Sequence, residues 1–177
     1  MTTILPVDIL RIRLKNEIET CRRELTHHIS ISDSTLTSFP ILINVTFLRV
    51  PGPSWEEDKI VHRHVHRMAV LITDEYPAEK PIVKWKTPIF HPNIMAPEDG
   101  GYVCTRLLEN WDFNSTLLEF FKGIEWLLTN PNPKNPFGSD TCTRAAAYFN
   151  RMGYRPPPSL DRAEGTIRII GEVHEAA

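Results

Sequence analysis

Between Ile29 and Lys86 the chain reads as four runs of apolar residues in strand-like patterns, separated by short links rich in turn residues. Ile29 and Ile31 alternate with serines over residues 29–33, and Ile41, Ile43, Val45 and Phe47 alternate within a run from Pro40 to Val50 that Pro51-Gly52-Pro53 ends. Past an acidic loop at Trp55, Glu56, Glu57 and Asp58, a third run extends from about Ile60 to Ile72, and a fourth covers Ile82 to Lys86. Parallel neighbours need helical crossovers, and these links leave no room for them. The spacing therefore predicts an antiparallel meander of four strands in an α+β domain.

Helical patterns flank the meander. Asp8 is expected to cap a helix running to about His28, because Leu10, Leu14, Ile18, Cys21 and Leu25 recur on one face. The other face carries Arg11, Arg13, Lys15, Arg22 and Arg23, and is either solvated or a docking surface. Thr116 to Glu119 reads as a capping box opening a helix whose Leu117, Phe120, Phe121, Ile124, Leu127 and Leu128 form a broad buried stripe. A further helix from about Ser139 to Met152 is closed by Gly153 and packs through Cys142, Ala145, Ala146 and Phe149. A proline run, 156–158, marks off a core at 1–155 from an extension at 156–177. The extension reads as a packed or disordered end, with Thr166 to Ile170 open to strand or helix.

With 177 residues, 41% hydrophobic and 24% charged, the chain is expected to form one globular domain. A net charge of −2 and the lack of a concentrated basic face argue against nucleic acid as the main partner. No apolar run reaches the length of a membrane span and the first residues do not pattern as a secretory signal, so a soluble cytoplasmic protein is expected, with no membrane partner. Three widely spaced cysteines, an odd number, fit a reducing compartment rather than a disulfide framework. Cys21 and Cys142 fall on packing faces and are read as core thiols. His62, His64 and His66 alternate on one face of the third strand. Same-face positions on one strand diverge by about 7 Å, which suits a metal poorly, so they are read as a polar outer face opposite Val61 and Val65, with no metal site expected.

Cys104 is a different kind of cysteine. It sits among loops, after His91-Pro92-Asn93 and an acidic, glycine-containing stretch, and before Trp111. Loops are where a rigid scaffold presents its chemistry. The series Tyr76-Pro77-Ala78-Glu79-Lys80-Pro81, His91-Pro92-Asn93, Cys104, Trp111 and the helix ending in Asn130-Pro131-Asn132-Pro133 resembles the ubiquitin-conjugating enzymes, over about residues 8 to 152.

The resemblance implies that Cys104 accepts an activated ubiquitin or ubiquitin-like protein as a thioester and passes it to a substrate lysine. It implies an activating enzyme upstream that uses ATP, no cofactor on this chain, and a RING-type ligase and protein substrates as partners. Asn93 would steady an oxyanion or the loop that forms the site, and donors aimed at developing charge are worth about 3 kcal/mol. His91 and Pro92 would be structural. A Cys/His peptidase would instead need His91 within reach of the thiol. By position, activating-enzyme and ligase docking would fall on Arg11, Lys15, Ile72, Phe113 and Asn114.

The chain also departs from the family's pattern. The segment from Ile94 to Val103 is longer, bringing in Glu98 and Asp99, and one residue fewer separates Cys104 from Trp111. Where an acidic residue would orient the incoming lysine, the chain has Asn135 after Lys134. Asparagine is no base, so Asp99, Asp112 and Asp140 are the candidate acids. These departures point to a divergent conjugation system of archaeal or bacterial type. The alternatives are a catalytically inactive binding subunit of the same fold and a generic thiol enzyme; the absence of a CxxC pair and of a convincing base weighs against the second.

Overall fold

A computed structural model describes residues 4–33, 35–104 and 110–157. Helix α1 spans Val7–Glu24, strands β1 to β4 span Ile29–Ile31, Ile41–Glu56, Lys59–Ile72 and Ile82–Trp85, and helices α2 and α3 span Leu117–Thr129 and Asp140–Met152. The strands form one antiparallel sheet in the order β1-β2-β3-β4, as the short links require. The inner face carries Ile43, Val45 and Phe47 of β2 with Met68, Val70 and Ile72 of β3, all buried. Against it pack the predicted stripes of α1 (Leu10, Leu14, Ile18, Cys21) and α2 (Leu117, Phe120, Phe121, Ile124, Leu127, Leu128). Burial pushes the Cys21 thiol up to about 12, as befits a core thiol.

Several boundaries differ from the expectation. Helix α1 starts one turn's edge earlier, with Pro6 in the N-cap position and Asp8 in the first turn, where its carboxylate takes up Arg11 at 3.2 Å instead of capping the backbone. The helix stops at Glu24, because residues after Leu25 turn to bring Ile29 opposite Phe47. Strand β2 does not end at Pro51-Gly52-Pro53. It bulges between Leu48 and Gly52, with Arg49 at φ 62°, then pairs again with Gly52 opposite Arg63 and Pro53 opposite His62. Prolines are tolerated there because β1 pairs only as far as Phe47, which leaves the rest of β2 an edge on that side. The hairpin turn is Glu57-Asp58, both at positive φ, the geometry whose twist matches a two-residue hairpin.

The histidine row is inverted relative to the expectation. The alternation that buries Met68, Val70 and Ile72 also buries His66, whereas Val65 is exposed. Strand parity is fixed by the face carrying the larger apolar set, and that set lies further along β3. His66 packs on Trp85 with ring centroids 5.4 Å apart and on Gly52, where a Cβ would meet the His66 ring at 2.7 Å and Leu128 at 2.6 Å. Among the described residues no group of three or more His, Cys, Asp and Glu could hold a metal ion, and no helix is long and apolar enough to cross a membrane.

Helix α2 opens with the predicted capping box, in which the Thr116 hydroxyl accepts from the Glu119 N–H and the Glu119 carboxylate accepts from the Thr116 N–H. Helix α3 is capped by Ser139 and buries Cys142, Ala145, Ala146 and Phe149, as its pattern predicts. Beyond α3, Tyr154 packs on Phe149 and reaches His62 at 3.1 Å. Residues 158–177, which hold most of the proposed extension, lie outside the described residues.

Candidate functional site

The site is assembled from three loops that two helices and the sheet hold in place. After β4 the chain enters the His91-Pro92-Asn93 turn, and residues 94 to 103 fold back on themselves through the Ile94–Val103 bridge and the bond from Met95 N–H to the Tyr102 carbonyl, 2.9 Å. That return delivers Cys104 beside Asn93. The Cys104 N–H donates to the Asn93 carbonyl at 2.9 Å, and the cysteine is 4% exposed.

The Asn93 side chain, wholly buried, is saturated by the Pro-Asn-Pro loop. Its Nδ2 donates to the carbonyls of Asn132 and Asn135 at 3.1 and 3.0 Å, and its Oδ1 accepts from the Asn132 N–H at 2.7 Å. A primary amide has two N–H donors, and both have carbonyl partners. Of the two roles implied for Asn93, this geometry favours steadying the loop; a donor to an oxyanion would first have to leave one of these bonds.

His91 is equally committed. Its Nδ1 accepts from the Asn93 N–H at 3.0 Å and its Nε2 donates to the Leu127 carbonyl at 2.9 Å, joining the turn to the end of α2. Burial, which outweighs the bond to Leu127, pushes its pKa from 6.5 down to about 3. A neutral imidazole with both nitrogens bonded to backbone is a strut rather than a base. Pro92 contributes its carbonyl, which accepts from Phe137 N–H at 2.8 Å and ties down the far end of the same loop. Asn135 enters the site through its backbone carbonyl, while its residue as a whole is exposed.

Among the described residues none of the candidate acids hydrogen-bonds the Cys104 thiol. Asp99 Oδ2 accepts from the Thr141 N–H at 2.9 Å, and its bonds to Thr141 hold the carboxyl below the usual range. The inserted residues thus form a short 3-10 turn, Pro97–Asp99, moored to the start of α3, with Gly100 and Gly101 at positive φ. Gly101 is obligatory for the mooring, since a Cβ there would lie 2.5 Å from the Trp85 carbonyl. Asp112 accepts from the Asn114 N–H at 2.7 Å and shapes the loop before α2. Asp140 is exposed in the first turn of α3, and among the described residues its carboxylate, alone of the three, has no hydrogen bond.

The docking residues separate. Lys15, Phe113 and Asn114 are exposed, and Arg11 bonds Asp8 and the Thr37 carbonyl. Ile72 does not belong with them: it is fully buried, opposite Ile41, because its parity in β3 matches Met68 and Val70. Arg13, read from sequence as part of a basic surface face, and Glu17, which the sequence did not single out, organise this side. Arg13 donates to the carbonyls of Phe113 and Ser115 at 3.1 and 2.8 Å and to Glu17 at 2.7 Å. Glu17 in turn accepts from the Tyr76 hydroxyl and from the Leu117 N–H at 2.8 Å. The Arg13–Glu17 spacing of four is a helix ion-pair signal, but their partners lie up to 102 residues away and left none.

A loop-borne thiol beside an asparagine-stapled turn, on a helix–meander–helices scaffold, defines an α+β thiol protein whose cysteine backbone is fixed before any partner arrives. The family model for ubiquitin-conjugating enzymes matches residues 13–151. The chain belongs to the ubiquitin-conjugating enzyme family. It is 32% identical over 91 residues to ubiquitin conjugating enzyme E2 B of Dictyostelium discoideum, covering 51% of this chain and 58% of that protein. It is 29% identical over 110 residues to the SUMO-conjugating enzyme UBC9 of Caenorhabditis elegans, covering 58% of this chain and 63% of that protein. These matches thus span less than two thirds of each relative's length. The fold is that of S. cerevisiae Ubc12, with a TM-score of 0.60 at 23% identity over 80% of this chain and 71% of that one.

Proposed function

We propose that this chain is a conjugating enzyme whose Cys104 carries ubiquitin or a ubiquitin-like protein as a thioester. In the charging step Cys104 Sγ attacks the thioester carbonyl on the activating enzyme, the new C–S bond forms, and the activating enzyme's thiolate leaves. In the transfer step a substrate lysine amine attacks the same carbonyl, the amide forms, Cys104 leaves as thiolate, and the amine proton passes to a nearby acid–base group or water. A thiolate serves as both nucleophile and leaving group, so both steps proceed without an external energy source on this chain. ATP is consumed upstream by the activating enzyme, and no cofactor is assigned here.

The observation that carries this reading is the bond from Cys104 N–H to Asn93, whose side chain is itself stapled to the Pro-Asn-Pro loop. A RING-type ligase and the activating enzyme are assigned to the α1 face with Arg11 and Lys15 and to the loop with Phe113 and Asn114. Asp140 is the preferred acid for the incoming lysine. Residues 1–155 are the conjugating core, and 156–177 an extension, in a cytoplasmic protein.

The 4% exposure of Cys104 favours a second reading, a binding subunit of the same fold that never charges. A non-reducing gel with ATP, a cognate activating enzyme and candidate modifiers, run beside Cys104→Ala, separates the two. The carrier reading expects a reductant-sensitive adduct lost in the variant; no adduct from a demonstrably charged activating enzyme leaves the binding subunit.

A further inference from the structure

Two adjoining depressions of about 460 and 290 Å³ share Trp55, Phe90 and Arg144 and so form one groove between the β2–β3 hairpin and α3. Its lining is aromatic. The Trp55 ring lies 5.1 Å from Phe90 and 5.2 Å from Tyr148, and Trp55 remains 36% exposed. Its rim is cationic, with Lys86, Arg144 and Arg151 against the single carboxylate of Glu98. All three cations are exposed, and none has an ion-pair partner among the described residues; Arg151 lies 5.9 Å from the Tyr148 ring. The Asp99 carboxylate, which accepts from the Thr141 N–H, also acts electrostatically on Arg144 and offsets part of the rim's positive charge.

One end of the groove is walled by Pro97 and Glu98, in the segment that folds back to deliver Cys104. An occupant would therefore rest against the loop that carries the thiol. A basic segment would be repelled by the rim's excess of cations, and a purely apolar one would strip water from Lys86 and Arg151 without pairing them. An acidic segment with a large apolar side chain meets both demands, covering the rings and pairing the rim.

We propose that this groove receives a stretch of the acceptor protein rich in Asp and Glu and bearing a large apolar side chain, holding that protein beside Cys104. The assignment of the occupant as acceptor rests on the carrier role proposed above. The test is fluorescence anisotropy of the full chain with a fluorescein-labelled peptide of alternating Glu and Leu around one Phe. Its Glu→Lys counterpart and a labelled oligodeoxythymidine serve as comparison probes.

The acidic peptide should bind saturably and more weakly at high salt, the lysine peptide should not bind, and Lys86→Glu with Arg144→Glu should weaken binding by roughly tenfold or more. Trp55→Ala should weaken it as well. Unchanged affinity in the charge-reversed protein would overturn the proposal, as would tighter binding of the oligonucleotide. So would a rise in affinity on changing Glu172 and Glu175 to Gln, which would give the groove to the chain's own tail. Cys104→Ala should bind the peptide as the parent does, and the charge-reversed protein should still form the Cys104 adduct. Peptide binding without any adduct in the parent would therefore sink the carrier reading and leave the groove's chemistry standing.

Discussion

At the scale of single residues, Asn93 is where the site and the fold meet. Its side chain makes three hydrogen bonds while wholly buried, so truncation leaves two carbonyls and one N–H without it. Asn93→Ala should lower unfolding free energy by about 2 kcal/mol, read from urea midpoints at constant slope. An asparagine acting only on an oxyanion would leave the midpoint where it was and slow the chemistry alone. Signals with local meaning read cleanly: Thr116 with Glu119 is a cap whatever surrounds it, and His91, Pro92, Asn93 and Cys104, an ordered series in the sequence, lie together in the structure. Ile72 and His66 were misjudged because which face of a strand turns inward is decided by the whole sheet, and an isolated run of alternating residues reads the same either way up.

Among the elements, β2 shows how a local signal can point to the wrong place. Pro51-Gly52-Pro53 has the chemistry of a turn, yet the strand passes through it because Gly52 lets the His66 ring and Leu128 approach within 2.7 and 2.6 Å of where a Cβ would stand. The contact that uses the glycine lies 76 positions away in the chain for Leu128, counting from 52 to 128, beyond any pattern a local window can hold. Gly52→Ala should therefore destabilise through overpacking, by roughly 1–3 kcal/mol, with a matching fall in thermal midpoint. Changing Leu128 to Ala in the same chain should recover part of that loss if the clash is the cause, and none if the glycine matters only for backbone freedom. Among the described residues the helices and strands and their order were legible, while the 3-10 turn at Pro97–Asp99 was not. Boundaries at Glu24 and Glu56 were not, since pairing with another strand sets them.

At the scale of the whole molecule, two buried imidazoles make the fold sensitive to acid. His66 and His91 sit at about 4 and about 3 in the folded protein, against 6.5 for an unburied histidine, in both cases mainly through desolvation. Between those values the unfolded chain binds more protons than the folded one, so stability rises with pH across the window and is lost as pH falls from about 6.5 toward 4 and 3. Urea midpoints taken across that range should drop steadily, and more gently in His66→Gln than in the parent. A flat profile would show that neither imidazole stays neutral on folding. The Glu17 contacts also set an order of events during synthesis. Helix α1 is synthesised before the sheet and α2, and its Glu17 carboxylate finds Tyr76 only 59 residues later and the Leu117 N–H only after 100. Until α2 emerges, the apolar face of α1 has only the sheet to pack against, so a chaperone that recognises nascent apolar helices would be released only once α2 is made.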